Sequence, residues 1–175
     1  RPVLVQLGDI RGSLERLHEA EALAERLNDD RRQGRVCTFM TNVHSLLGEL
    51  DEALMTGTRA LEIAERLGDL KLRILATTFV EQAHYYRGEY GRVVELATDN
   101  LAALPADWTS EDLGASAPAS VYDRFWLVTS LAQLGRFREA TVHEAEAMRL
   151  AEPTQHAFTI GLGLLRHEYA PPPQG

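Results

Sequence analysis

The sequence predicts an all-α fold, an array of about four antiparallel helix pairs with a period near forty residues. Three observations carry that expectation. The segment Ala24-Glu25-Arg26-Leu27-Asn28-Asp29 recurs forty residues on as Ala64-Glu65-Arg66-Leu67-Gly68-Asp69 with one substitution. Four turn-like triplets share one register, Gly8-Asp9-Ile10, Gly48-Glu49-Leu50, Gly88-Glu89-Tyr90 and Gly135-Arg136-Phe137, at spacings of 40, 40 and 47. Helical apolar spacing flanks each turn, as in Asp51 to Leu67, where Ala53, Leu54, Ala60, Leu61, Ile63, Ala64 and Leu67 recur at steps of three and four and charged residues take the other side. A repeat of this length is one supersecondary unit that buries its apolar face only by stacking on a neighbour.

Taken in order, the first turn at Gly8 opens a helix over 10–28, followed by a helix over 31–47 that ends at Gly48. Helices over 50–67 and 70–87 form the next pair of elements, ending at Gly88. Glycine suits the end of a helix because a left-handed conformation costs it nothing. Five, twelve and sixteen residues after the turn glycines stand mostly small residues, Ser13, Ala53, Val93 and Ala140, then Ala20, Ala60, Asn100 and Ala147, then Ala24, Ala64, Leu104 and Ala151. Small residues at helical spacing let helices approach closely. The large residues after the turns, Ile10, Leu50, Tyr90 and Phe137, are placed to plug the gap where the chain reverses. The helix over 90–104 meets Pro105. Residues 105–118 are rich in turn formers, lack helical spacing and hold the seven extra residues of the third interval, so they are an inserted loop. Helices over 118–134, 137–152 and 154–168 complete the array, with Pro118 and Pro153 between elements, where a missing N–H does least damage.

Composition narrows the function. The chain has 175 residues, 45% apolar and 25% charged, which supports a buried core. Eighteen Lys and Arg against 26 Asp and Glu give a net charge of −8, which disfavours nucleic acid and anionic lipid as partners. No window approaches 18 consecutive apolar residues and the first residues lack a signal-peptide pattern, so a cytoplasmic setting is expected. A single cysteine, Cys37, agrees with a reducing compartment.

The turns and their flanks resemble the tetratricopeptide repeat. The likeness lies in Leu47-Gly48-Glu49-Leu50-Asp51-Glu52-Ala53-Leu54 with Arg59-Ala60-Leu61-Glu62-Ile63-Ala64, in Leu134-Gly135-Arg136-Phe137-Arg138-Glu139-Ala140, and in the pair Leu162-Gly163. It covers nearly the whole chain and implies a right-handed superhelix. A forty-residue period in place of thirty-four implies helices about a turn longer, as in the repeats of large bacterial signalling regulators. His18 to Ala24, the Gly48 turn and Gly161-Leu162-Gly163-Leu164-Leu165 further resemble the repeat region that follows the ATPase region of predicted bacterial adenylate or guanylate cyclases. On this register residues 1–170 form one repeat domain and 171–175 a proline-rich tail. The first pair lacks most of its first helix and the last its second, which reads as a slice of a longer protein. Three positions depart from the family. Glu81 stands where Gly, Ala or Ser is favoured for helix contact, and Gly57 and Glu144 stand where larger apolar residues are usual. Gly57 inside a helix costs about 1 kcal/mol relative to alanine.

Catalytic and metal chemistry find little support. His143-Glu144 is followed by Ala145, Glu146 and Ala147, so no second histidine completes a zinc motif. His44 and His84 lie one repeat apart with Glu81 three residues before His84, a set that stacking would bring near enough for a polar cluster or a cation. Cys37 is expected to be a buried, inert thiol. Gly161-Leu162-Gly163 lacks a third glycine and a preceding strand, so it is no phosphate loop. No enzyme activity and no cofactor are expected of this segment.

What remains is surface. In such arrays the first helix of each pair lines the concave side and stacking creates an extended groove. Residues ten, six and three before each turn glycine are expected to face it: Thr38, Asn42 and Ser45; Thr78, Gln82 and Tyr85; Phe125, Thr129 and Ala132, with Arg35, Tyr86, Tyr122 and Gln133 as neighbours. This polar and aromatic set suits hydrogen bonds to an extended backbone with aromatic anchoring. Chaperone-binding members clamp a terminal carboxylate with lysine and arginine here, which Thr78 and Phe79 do not supply, so such a clamp is not expected. The expected role is a non-catalytic scaffold or regulatory module that binds a protein, a peptide or another domain of its parent chain. The alternative is a sensor with a small ligand inside the superhelix, contacted by Asn42, Gln82 and Tyr85. The inserted loop is either a docking element anchored by Trp108 or a tolerated insertion with Trp108 tucked onto a neighbouring helix. Exposed ends would permit a homodimer through Leu4 and Leu7 or through Ile160 and Leu164.

Overall fold

The computed structural model describes residues 9–155 and 157–163. The turn at Gly8, the end residues Leu4, Leu7 and Leu164 and the tail 171–175 lie outside the described residues. Among the described residues eight α-helices follow one another: α1 (Ile10–Arg26), α2 (Asp30–Leu47), α3 (Leu50–Leu67), α4 (Leu70–Tyr86), α5 (Tyr90–Ala103), α6 (Ala119–Gln133), α7 (Phe137–Ala151) and α8 (Ala157–Gly163). Short 3-10 turns occupy Ala106–Trp108 and Glu152–Thr154. Among the described residues there is no strand, and no helix is long and apolar enough to cross a membrane.

The architecture is an α-helical solenoid. Each helix packs on the next, and α2, α4, α6 and α8 also pack on one another in succession. The backbones of the intervening helices α1, α3, α5 and α7 stand further apart, α1 and α3 being bridged by Arg59, which donates to Glu21 and Glu25. Close contact on one side and separation on the other make the face carried by α2, α4, α6 and α8 the inner face.

Local chemistry sets the boundaries. The repeated Ala-Glu-Arg-Leu segment ends a helix, and the residue that follows it turns left-handed, at Asn28 with φ 48° and at Gly68 with φ 61°. The next residue, Asp29 or Asp69, caps the following helix by accepting from the backbone N–H of Arg32 or Leu72. Gly48, Gly88 and Gly135 adopt φ of 79°, 80° and 73°, the conformation expected of them. The caps after two of these glycines, Glu49 and Glu89, make no side-chain cap bond. Their carboxylates reach back to the last turn of the preceding helix, where His44 Nδ1 lies 2.7 Å from Glu49 and His84 Nδ1 lies 2.5 Å from Glu89.

Register fixes the packing. Ala53, Val93, Ala60, Ala97 and Ala151 are fully enclosed, as are Ser13, Ala140, Ala147, Ala24 and Ala64 nearly so. The plug residues fare unequally, because Leu50 and Tyr90 are half-buried whereas Phe137 stays 45% exposed. Gly57 is explained by its neighbours: a Cβ there would lie 2.5 Å from Val80 Cγ2 and 3.3 Å from Thr41 Cγ2. The missing side chain lets Val80 fill the space.

Candidate functional site

The inner face holds a cavity of about 480 Å³ between α2, α4, α6 and α8. Seven aromatic rings line it, from Phe39, Phe79, Tyr86, Tyr122, Phe125, Trp126 and Phe158, together with Leu46, Leu162, Ala115 and Ser116. Asn42 and Gln82 supply its amides, and among the described residues no charged side chain lines it. A ladder of rings runs across the four helices: Phe39 to Phe79 at 6.1 Å between centroids, Phe79 to Tyr122 at 6.2 Å and Tyr122 to Phe158 at 6.1 Å. A second group gathers on Trp126, with Phe125 at 4.6 Å, Tyr85 at 5.2 Å and Tyr86 at 5.8 Å. Such tilted and edge-on contacts hold the rings in fixed orientations.

Hydrogen bonds complete the surface. Asn42 Nδ2 donates to Gln82 Oε1 at 2.6 Å, locking amides one repeat apart and leaving Asn42 Oδ1 to accept and Gln82 Nε2 to donate. Burial pushes the Tyr122 phenol up to about 12, a shift that the Ser116 hydroxyl partly opposes, so the phenol stays protonated.

The expected site residues divide. Asn42, Gln82, Tyr86, Tyr122 and Phe125 come together on the cavity. Tyr85 stacks behind it between Tyr90 and Trp126. Thr38, Ser45, Thr78 and Thr129 do not line it; all four are buried and bond carbonyls of their own helix. The correction is one of register. The lining positions on α2 and α4 are nine, six and two before the turn glycine, Phe39, Asn42 and Leu46, then Phe79, Gln82 and Tyr86. Phe39, Phe79 and Trp126 share the ninth position, and that recurrence of aromatics was the available signal in the sequence.

The cluster of His44, Glu81 and His84 does not form, because each histidine pairs with its own turn glutamate. Glu81 is fully buried, and among the described residues neither carboxylate oxygen has a hydrogen-bond partner. Burial, and then the charge of Asp123, raise its pKa well above the ordinary carboxyl range. Asp123 is also fully buried, 2.6 Å from Thr78 Oγ1 and accepting from Asn100 Nδ2 at 3.0 Å. Burial pushes it up to about 7 against those hydrogen bonds. Among the described residues no three His, Cys, Asp or Glu are placed to hold a metal ion. Cys37 is enclosed, and burial raises its thiol. Trp108 is half-buried, with Lys71 Nζ 4.6 Å from its ring centroid.

No family model and no curated protein matches this chain. Its site is therefore read from its own geometry.

Proposed function

We propose that this chain is a non-catalytic interaction module of the tetratricopeptide type, right-handed in its superhelix, and a regulatory or scaffold part of a larger cytoplasmic bacterial signalling protein. A peptide segment or a neighbouring domain docks in the aromatic cavity of the inner face. The observation that carries this reading is the lining itself, seven rings and one fixed amide pair. Rigid aromatics are the residues that anchor partners at low entropic cost, and a free acceptor beside a free donor complements one peptide group.

A second reading is supported by size. A cavity of about 480 Å³ falls within the range of small-ligand sites, so a sensor of an uncharged aromatic or aliphatic molecule fits the same walls.

Peptides selected on the wild-type chain from a displayed random library test the first reading. Tyr86→Ser and Phe125→Ser, both at the cavity rim, are expected to weaken the selected peptides by about tenfold or more with melting temperature nearly unchanged. Undiminished binding to both variants contradicts the cavity as the docking site. Enrichment of no peptide, together with saturable binding of a small apolar fluorophore lost in the same variants, favours the sensor.

A further inference from the structure

The face that carries the aromatic cavity continues toward the N-terminal ends of α2 and α4. Arg31 and Arg35 on α2 stand seventeen and thirteen residues before Gly48, and Lys71 and Leu75 on α4 stand at the same distances before Gly88. With the lining positions nine, six and two before the glycine, they form one stripe at steps of four and three, so they share the inner face. A separate cavity of about 190 Å³ opens there. Three cations line it in a chain whose net charge is −8.

The charges are unequally used. Arg31 Nε donates to Asp69 Oδ2 at 2.8 Å, and Asp69 also lines the cavity. Lys71 Nζ donates to Glu111 Oε2 at 2.8 Å and sits over Trp108. Arg35 has neither an ion pair nor a hydrogen bond among the described residues. Its guanidinium lies against the inserted loop at Gly114, where a Cβ would come within 2.6 Å of Nη2. Gly114 has φ 93°, a conformation that also favours glycine. The loop therefore builds this cavity: Glu111 and Trp108 hold Lys71, Gly114 makes room for Arg35, and Leu113 closes an apolar wall with Leu72 and Leu75.

We propose that this cavity is a binding site for a monocarboxylate on a short apolar stem. The single uncommitted cation is a guanidinium, whose planar fork pairs with one carboxylate through two parallel hydrogen bonds. The leucine wall takes the stem. A phosphate dianion fits less well, since Arg31 and Lys71 are already neutralised and the Asp69 carboxylate on the rim repels a second negative charge. The site is independent of what occupies the aromatic cavity.

The test uses the chain as it stands, labelled at leucine methyls and arginine Nε, titrated with hexanoate, with hexan-1-ol and with inorganic phosphate. Saturable shifts at Leu113 and Arg35 with hexanoate, at roughly millimolar affinity as befits an exposed ion pair, are expected, with weaker responses to the other two. Arg35→Gln is expected to weaken hexanoate by about tenfold and Arg35→Lys by severalfold, because lysine keeps the charge and loses the fork. Arg35 is exposed, so both variants are expected to keep the wild-type melting temperature. Equal shifts with hexan-1-ol, tighter binding of phosphate than of hexanoate, or an Arg35→Gln variant that binds like wild type would each overturn the proposal.

Discussion

Two neighbouring interfaces of the inner face are built on opposite terms. Between α2 and α4, glycines give way to large side chains: a Cβ on Gly34 would lie 2.6 Å from Leu72 Cδ2, and Gly57 beside this interface yields to Val80. The polar groups around it are paired, Asn42 with Gln82 across the interface, Thr41 with Thr56 of α3 at 3.1 Å, and Thr38 with the carbonyl of Gly34 in its own helix. Between α4 and α6 two carboxyls are buried, and the unpartnered buried side-chain atoms of the described residues fall on α4, α5 and α6, at Glu81, Asn100, Arg124, Trp126 and Ser130. The difference lies in the residues rather than in the spacing, since contacts two positions off register occur on both sides, Gly34 with Leu72 and Thr78 with Asp123. On one side such a contact seats a leucine over a glycine; on the other it belongs to a buried interface holding two carboxyls, of which Glu81 has no hydrogen-bond partner among the described residues.

The largest effect is expected on the paired side. Gly57→Val drives a branched side chain into Val80 and should cost about 2–3 kcal/mol, read as a lower denaturant midpoint with unchanged slope. A smaller loss would mean that Val80 moves aside and the interface is softer than its glycines imply.

The opposite sign is expected on the other side. Glu81→Met replaces two orphaned buried oxygens by an apolar chain of similar length and should raise stability by about 1–3 kcal/mol. The gain depends on pH. Burial raises both Glu81 and Asp123 in the folded chain, so the unfolded chain releases these protons first as pH rises from about 4. Native stability from this pair is therefore fully present below the ordinary carboxyl range and is lost on the way to about 7, where Asp123 ionises in place. Chemical denaturation at pH 5 and pH 8 should show a larger gain from Glu81→Met at the higher pH. Equal gains at both would mean that Glu81 finds a partner that neutralises it.

The smallest effect tests the amide pair. Asn42→Ala removes one half-buried hydrogen bond and should cost about 1 kcal/mol, while the double variant with Gln82→Ala should cost less than twice that, since each single change strands the other amide.

The sequence carried the fold because its signals are local and repeated. Glycines at left-handed turns, aspartates at helix starts and alanines at contact positions each state their role within one helix, and the seven helices between Ile10 and Ala151 fall within a few residues of where those signals put them. The site was legible only in part. Asn42, Gln82, Tyr86, Tyr122 and Phe125 were within reach because inner helices are identified by the turns that end them. Thr38, Ser45, Thr78 and Thr129 were misplaced because a rotation of one position on a helix, about 100°, separates a residue that lines a cavity from one that bonds its own backbone. The burial of Glu81 near Asp123 and the contact of Arg35 with the loop at Gly114 join residues far apart in the chain, which no periodicity encodes.

The account rests on the inner face as the binding face, and one measurement addresses it directly. Backbone and aromatic chemical shifts of the chain, recorded with and without a peptide selected on it, map contact residue by residue. The account predicts perturbations at Phe39, Asn42, Phe79, Gln82 and Trp126, with α3 and α5 unaffected. Perturbations concentrated on the outward surfaces of α3 and α5, with these five residues silent, would contradict it.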